Sequence, residues 1–107
     1  MASVPELSVV ELNARLKNGE EVFLLDVREQ YEHDFVNLEG TLIPLGELPA
    51  RFGELDPSKE IIVYCHHGNR SRRAAEFLQA KGFQQVKNLS GGVEAWASEI
   101  DPSMPHY

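Results

Sequence analysis

The sequence predicts an α/β domain built on a parallel sheet with helices on both of its faces. Short apolar runs rich in β-branched residues alternate along the chain with segments in which apolar residues recur at helical spacing. Strands that alternate with helices in this way are joined by right-handed crossovers, which place the strands side by side and parallel. The chain has 107 residues, of which 42% are hydrophobic, and this size suits one compact domain.

The first half of the chain begins with a helix signal at Ser8. Ser8 and Glu11 form the S-x-x-E pattern of a capping box, and apolar residues then recur at helical spacing until Gly19 ends the helix. The apolar run 22–27 is typical of a buried strand. The sequence then predicts a short helix at 29–35, a strand at 41–43 that Pro44 closes, and a helical segment at 47–55.

The second half contains a strand, a cysteine and a helix in direct succession. Residues 61–64 are apolar and mostly β-branched, which predicts an interior strand that ends at Cys65. A loop with a glycine follows, and residues 71–81 predict a helix that buries one apolar face and ends at Gly82. The last predicted elements are a strand at 86–89 and a helix at 94–100 that follows two glycines.

Composition and charge argue against several classes of protein. A net charge of −7 is a poor match to nucleic acid, and the longest apolar runs fall far short of the ~20 residues that a membrane helix needs. With Cys65 as the single cysteine, no internal disulfide can form, which fits a reducing compartment. The first residues lack a basic region followed by an apolar one, so we expect no signal peptide and a cytoplasmic protein.

One short stretch of this acidic chain is basic. Residues 61–75 contain no Asp or Glu, and five basic side chains cluster there: His66, His67, Arg70, Arg72 and Arg73. This local positive charge predicts a site for a small anion. We expect no metal and no cofactor, because Cys65 is the only thiolate ligand and the two histidines are adjacent rather than at ligand spacing.

Cys65 is the candidate catalytic nucleophile. It lies between a predicted strand and a predicted helix, where ligand sites form in open α/β sheets. Inward-pointing backbone N–H groups, the helix N-terminus and the charge of Arg70 would favour a thiolate over a thiol. We therefore predict catalysis rather than a buried structural cysteine. The predicted substrate-binding loop consists of His66, His67, Gly68, Asn69, Arg70 and Ser71.

The spacing between the cysteine and the arginine distinguishes two kinds of chemistry. Cysteine phosphatases carry a C-x5-R loop whose cradle holds a tetrahedral phosphate, whereas Cys65 and Arg70 form a C-x4-R pattern. The shorter loop leaves less room for three phosphoryl oxygens but accommodates a single terminal sulfur atom on the cysteine. Loop length therefore favours sulfur over phosphate as the cargo.

Three motifs, taken in order, carry a family resemblance. They are Leu25-Asp26-Val27-Arg28-Glu29, Cys65-His66-His67-Gly68-Asn69-Arg70-Ser71 and Gly91-Gly92-Val93-Glu94-Ala95-Trp96. Over residues 7–100 the chain resembles a rhodanese-homology domain of the single-domain sulfurtransferase type, and residues 101–107 remain as a C-terminal tail. The resemblance implies a three-layer sandwich with a five-stranded, mostly parallel sheet and helices on both faces.

The resemblance also implies a persulfide intermediate on Cys65. Members of the family take sulfane sulfur from thiosulfate or a protein persulfide, and they pass it to cyanide, a thiol or a sulfur-carrier protein. Many members have a His-Ile-Pro-Gly-Ala type segment where this chain has a different sequence at 37–48. The sequence of this chain at 37–48 is more similar to that of the rhodanese domain fused to adenylyltransferases that activate sulfur carriers. This similarity suggests a sulfur-carrier protein as a partner.

The roles of several other residues stay open at this point. Asp26 and Arg28 lie either at the rim of the site or in a buried ion pair, and we favour the ion pair. Arg73 either attracts an anion or belongs to a solvated helix face. His66 and His67 either orient the anion and relay protons or contribute only their backbone N–H groups.

The sequence thus predicts a sulfurtransferase that works by double displacement through a Cys65 persulfide. Two alternatives remain. One is a cysteine phosphatase or arsenate reductase on the same scaffold, and the other is a non-catalytic module whose basic loop docks a partner.

Overall fold

Five short strands form one sheet in which every pair of neighbours is parallel. The computed structural model describes residues 3–107, and the order of strands across the sheet is β1-β5-β4-β2-β3. The prediction of an α/β fold with a parallel sheet is confirmed. The strands are β1 (Glu6–Leu7), β2 (Phe23–Asp26), β3 (Thr41–Leu42), β4 (Ile61–Tyr64) and β5 (Val86–Leu89).

Four α-helices lie in the connections between strands, and a fifth follows the last strand. They are α1 (Val9–Lys17), α2 (Gln30–Phe35), α3 (Leu48–Arg51), α4 (Asn69–Ala80) and α5 (Gly92–Glu99). The predicted capping box is present, since the Glu11 N–H donates to Ser8 Oγ at 3.0 Å and the Ser8 N–H donates to Glu11 Oε1 at 3.1 Å. Within residues 3–107, none of these helices is long and apolar enough to cross a membrane.

The elements differ from the sequence prediction at four places. The segment predicted at 47–55 is divided into α3 and two flanking 3-10 turns, Leu45–Glu47 and Phe52–Glu54. Helices α4 and α5 each begin two residues earlier than predicted, because their N-cap glycines adopt left-handed φ angles directly before the first turn. Strand β1 was not predicted, since two residues carry no periodic signal and the strand exists only through its pairing with β5.

The central strand β4 separates two cores and thereby orients the cysteine that follows it. Ile61, Val63 and Cys65 belong to the core on one face of the sheet, together with apolar side chains of α4. Ile62 and Tyr64 belong to the core on the other face. Because side chains alternate along a strand, Cys65 at the carboxyl end of β4 is directed toward α4.

Candidate functional site

The Cys65 sulfur lies at the N-terminus of α4 and accepts two backbone hydrogen bonds. The Gly68 N–H lies 3.1 Å from Sγ and the Ser71 N–H lies 3.4 Å from it. Gly68 is the N-cap of α4 and has a φ of 107°, a left-handed conformation that a side chain would resist. N–H donors and the positive end of the helix dipole both favour negative charge at this point. Both features favour a ligand that carries negative charge at this end of the helix.

A buried polar chain links the Cys65 sulfur to strand β5. Ser71 Oγ lies 3.3 Å from Cys65 Sγ and donates its proton to Asn88 Oδ1 at 2.5 Å. Asn88 Nδ2 in turn donates to the Gly68 carbonyl at 3.1 Å. Since the Ser71 hydroxyl has only one proton, its oxygen is left to accept a hydrogen bond from the Cys65 thiol. Asn88 was not among the predicted site residues, and no motif of the sequence singles it out.

The first turn of α5 holds the cysteine loop from the opposite side. The Val93 N–H donates to the Cys65 carbonyl at 2.9 Å, and the Glu94 N–H donates to the His66 carbonyl at 3.0 Å. Gly92 makes this approach possible, because a Cβ at its position would lie 2.3 Å from the Cys65 carbonyl oxygen. The paired glycines thus allow α5 to contact the backbone of the loop directly.

Arg70, the cation of the loop, forms an ion pair with Glu32 of α2. Its Nη1 and Nη2 lie 2.6 and 2.9 Å from the two carboxylate oxygens, a bidentate geometry. Glu32 is only 4% exposed, and hydrogen bonding from Arg70 lowers the pKa of its carboxyl group to about 2. The sequence placed Arg70 in an acid-free stretch, but the fold brings an acid to it from another element.

Tyr107, from the predicted tail, packs onto the same group of residues. Its hydroxyl donates to Glu32 Oε2 at 2.8 Å and accepts from Arg28 Nη1 at 2.7 Å. Burial is the main reason that the pKa of Tyr107 rises to about 12, so the phenol keeps its proton at neutral pH. The Tyr107 ring also stacks on His66 with centroids 3.7 Å apart and an interplanar angle of 6°.

His66 and His67 have different surroundings. The two rings stack with centroids 3.9 Å apart, and the His67 side chain is exposed. The His66 ring is mostly buried, and among residues 3–107 its Nε2 has no hydrogen-bond partner, with Glu94 Oε1 lying 3.7 Å away. Burial and the neighbouring His67 lower the pKa of His66, which leaves its imidazole neutral at pH 7.

The remaining predicted residues lie around this centre. Asp26 and Arg28 are both fully buried and form an ion pair with a 2.7 Å contact, and Arg28 links that pair to Tyr107. Arg73 and Asn69 are exposed on α4. Within residues 3–107, no group of three or more His, Cys, Asp or Glu side chains is arranged to hold a metal ion.

Comparison with known proteins identifies the family. The family model for the rhodanese-like domain matches residues 8–99. A sulfurtransferase of Allochromatium vinosum is 34% identical over 95 residues, which cover 88% of this chain and 89% of the relative. An adenylyltransferase and sulfurtransferase of Arabidopsis thaliana is 35% identical over 118 residues, with 94% of this chain covered. The chain therefore belongs to the rhodanese-like domain family, as its motifs predicted.

Solved structures agree with this assignment at the level of the fold. The crystal structure of a rhodanese-related protein from Thermoplasma volcanium has a TM-score of 0.80 and 32% identity, covering 90% of this chain and 93% of that one. Several relatives are much longer proteins. The chain spans 55% of the length of a putative sulfur carrier protein of Bacillus subtilis and only 25% of the length of the Arabidopsis protein.

Proposed function

We propose that this protein is a sulfurtransferase that carries sulfane sulfur as a persulfide on Cys65. One observation supports the proposal above all others: the Cys65 sulfur accepts N–H hydrogen bonds from Gly68 and Ser71 at the N-terminus of α4. A persulfide anion formed at the same place would meet the same donors and the same helix dipole. The proposed sulfur donors are thiosulfate or a protein persulfide, and the acceptor is a thiophilic group.

The reaction consists of two displacements at sulfur. The Cys65 thiolate attacks the outer sulfur of the donor, a new S–S bond forms, and the electron pair of the old S–S bond leaves with sulfite or a thiolate. An acceptor thiolate then attacks the outer sulfur of the persulfide and releases the Cys65 thiolate. The sulfur atom moves between nucleophiles, so neither step needs an external oxidant or reductant.

The proposed partners and compartment follow from the same features. A small sulfur-containing anion or a protein persulfide would deliver sulfur, and a sulfur-carrier protein is the proposed protein acceptor. The names of the sulfurtransferase relatives are consistent with this chemistry. A reducing cytoplasm suits the mechanism, because a single reactive cysteine there keeps its thiol.

Mass spectrometry of the intact protein tests the proposed function. We expect incubation with thiosulfate or with an organic persulfide to add one sulfur atom, about 32 Da, and a later thiol to remove it. A Cys65→Ser variant with an unchanged circular dichroism spectrum should not gain this mass. An adduct on the serine variant, or no adduct from either donor, would contradict the proposal. Cys65-dependent hydrolysis of an aryl phosphate would favour a phosphatase instead.

A further inference from the structure

We infer that Glu32 makes the Cys65 site selective for sulfur donors of low charge, such as organic persulfides, over the thiosulfate dianion. This inference rests on the proposed sulfurtransferase function and names the class of donor that the site takes. It follows from three features of the loop: the pairing of its arginine, the way in which Glu32 is held, and the charge state of the neighbouring imidazole.

The arginine of the loop is already occupied by an anion of the protein. Both terminal nitrogens of Arg70 bind the two oxygens of Glu32, at 2.6 and 2.9 Å. An arginine that binds a carboxylate in this bidentate manner uses one N–H of each terminal nitrogen, and its positive charge is paired with that carboxylate. A dianionic donor that needs this cation must compete with Glu32 for it.

Glu32 is held too firmly to move away at low cost. Besides Arg70, its carboxylate accepts a hydrogen bond from the Tyr107 hydroxyl at 2.8 Å and another from the Glu29 N–H at 3.0 Å. The side chain is buried at the start of α2, and its low pKa keeps it ionised at neutral pH. Displacing it would break these part-buried hydrogen bonds together.

Two of the other basic side chains of this stretch, His66 and Arg72, also contribute little free positive charge. The lowered pKa of His66 leaves that ring neutral at pH 7, and the Glu94 carboxylate lies 3.7 Å from its Nε2. Arg72 lies 3.8 Å from Glu6, which also contacts Asn88. The charge that faces an incoming donor is therefore much less positive than the sequence of the loop indicates.

The consequence for donors is electrostatic. Thiosulfate brings two negative charges to the loop, whereas the sulfur of an organic persulfide brings one at most. A fixed carboxylate beside the loop raises the free energy of the dianion more than that of the lower-charge donor. The leaving groups of the two donors differ and affect both rates, so the electrostatic effect is measured as the change in the donor ratio between variants.

Kinetics with two donors of matched shape test the inference. Methanethiosulfonate carries one negative charge and has a methyl group where thiosulfate has a charged oxygen. We expect Glu32→Gln to raise the ratio of kcat/KM for thiosulfate to kcat/KM for methanethiosulfonate by about tenfold. The gain should lie mainly in the KM for thiosulfate and should shrink as the salt concentration rises.

Glu60→Gln is the matched control. Glu60 is a half-buried carboxylate whose pKa, like that of Glu32, is about 2. It pairs with Arg15 and Lys87 just before the amino end of β4, at the opposite end of the strands from Cys65. Its substitution removes the same charge from the molecule and should keep the wild-type ratio. An equal change in both variants would mean that only net charge matters, and it would overturn the inference.

Arg70→Gln provides an opposite test that does not require the Glu32 variant to fold. This substitution leaves Glu32 ionised without its cation. The ratio of kcat/KM for thiosulfate to kcat/KM for methanethiosulfonate should therefore fall below that of the wild type. A ratio that moves in neither variant overturns the inference even when the Cys65 adduct forms normally. Failure of every donor to form the adduct on the wild-type protein instead overturns the proposed function itself.

Discussion

The Ser71 hydroxyl lies between the Cys65 sulfur and Asn88, and its single proton is committed to Asn88. It makes a 2.5 Å hydrogen bond to Asn88 Oδ1 while its oxygen lies 3.3 Å from Sγ. All three side chains are essentially inaccessible to solvent. A group in this position acts on the cysteine by fixing the loop and by accepting a hydrogen bond from the thiol, so its loss affects stability as well as chemistry.

We therefore expect Ser71→Ala to lower the free energy of unfolding by about 1–3 kcal/mol, because Asn88 Oδ1 is left buried without a donor. Urea denaturation followed by the fluorescence of Trp96, the single tryptophan, measures this change. Ser98→Ala is the control, since Ser98 is exposed and its hydroxyl lies 3.5 Å from Glu94. That variant should stay within about 0.5 kcal/mol of the wild type. Equal effects in both variants would contradict the role given to Ser71.

At the scale of secondary-structure elements, the site depends on the contact between α5 and the loop after β4. Gly92 has a φ of 57° and gives α5 room to donate two N–H groups to loop carbonyls. A methyl group there would lie 2.3 Å from the Cys65 carbonyl oxygen and 2.7 Å from that of His66. Neither atom belongs to a flexible side chain, so the loop or the helix must move.

Gly92→Ala should lower the free energy of unfolding by at least about 2 kcal/mol, through the left-handed φ and the backbone clash together. It should also slow persulfide formation, because the displaced carbonyls carry Cys65 with them. Gly53→Ala is the matched control, since a Cβ at Gly53 meets nothing within 4 Å and its φ is not left-handed. We expect that variant within about 1 kcal/mol of the wild type. If the Gly92 variant is as stable and as reactive as this control, the site does not depend on the contact between α5 and the loop after β4.

At the scale of the whole molecule, two carboxylates join segments that are distant along the chain. Glu32 pairs with Arg70 near the cysteine loop, at the carboxyl ends of the strands. Glu60 pairs with Arg15 and Lys87 near the amino ends of the strands. Hydrogen bonding to these cations lowers both carboxyl pKa values from the usual 4.5 to about 2. The ionised forms therefore stabilise the folded state relative to the unfolded chain.

A lowered pKa in the folded state means that this stability is present above pH 4.5 and is lost as the pH falls toward 2. We expect the free energy of unfolding to be level near neutral pH and to fall through this window, by on the order of 1 kcal/mol for each carboxylate. Urea denaturation between pH 7 and pH 2.5 measures the slope. Glu60→Gln should make the slope shallower, and an unchanged slope in that variant would show that other groups cause the loss.

Much of the fold follows from patterns that are local in the sequence. The alternation of apolar runs and helical spacing predicted the parallel α/β sheet, and the Ser8–Glu11 pattern predicted the start of α1. The succession of strand, cysteine, glycine and helix around Cys65 was equally predictable, since all residues of that loop lie within a few positions of one another. Strand β1 and the divided segment around α3 were not, because their conformation depends on neighbours in space.

The sequence by itself determined the fold class, the family and the position of the cysteine loop, because periodicity, glycine placement and loop spacing act over short distances along the chain. Only the tertiary structure decided the electrostatics of that loop. Glu32 is 38 residues from Arg70, and Tyr107 is 75 residues from Glu32. Which acid neutralises which base depends on how the elements pack, and a basic stretch in the sequence does not reveal it.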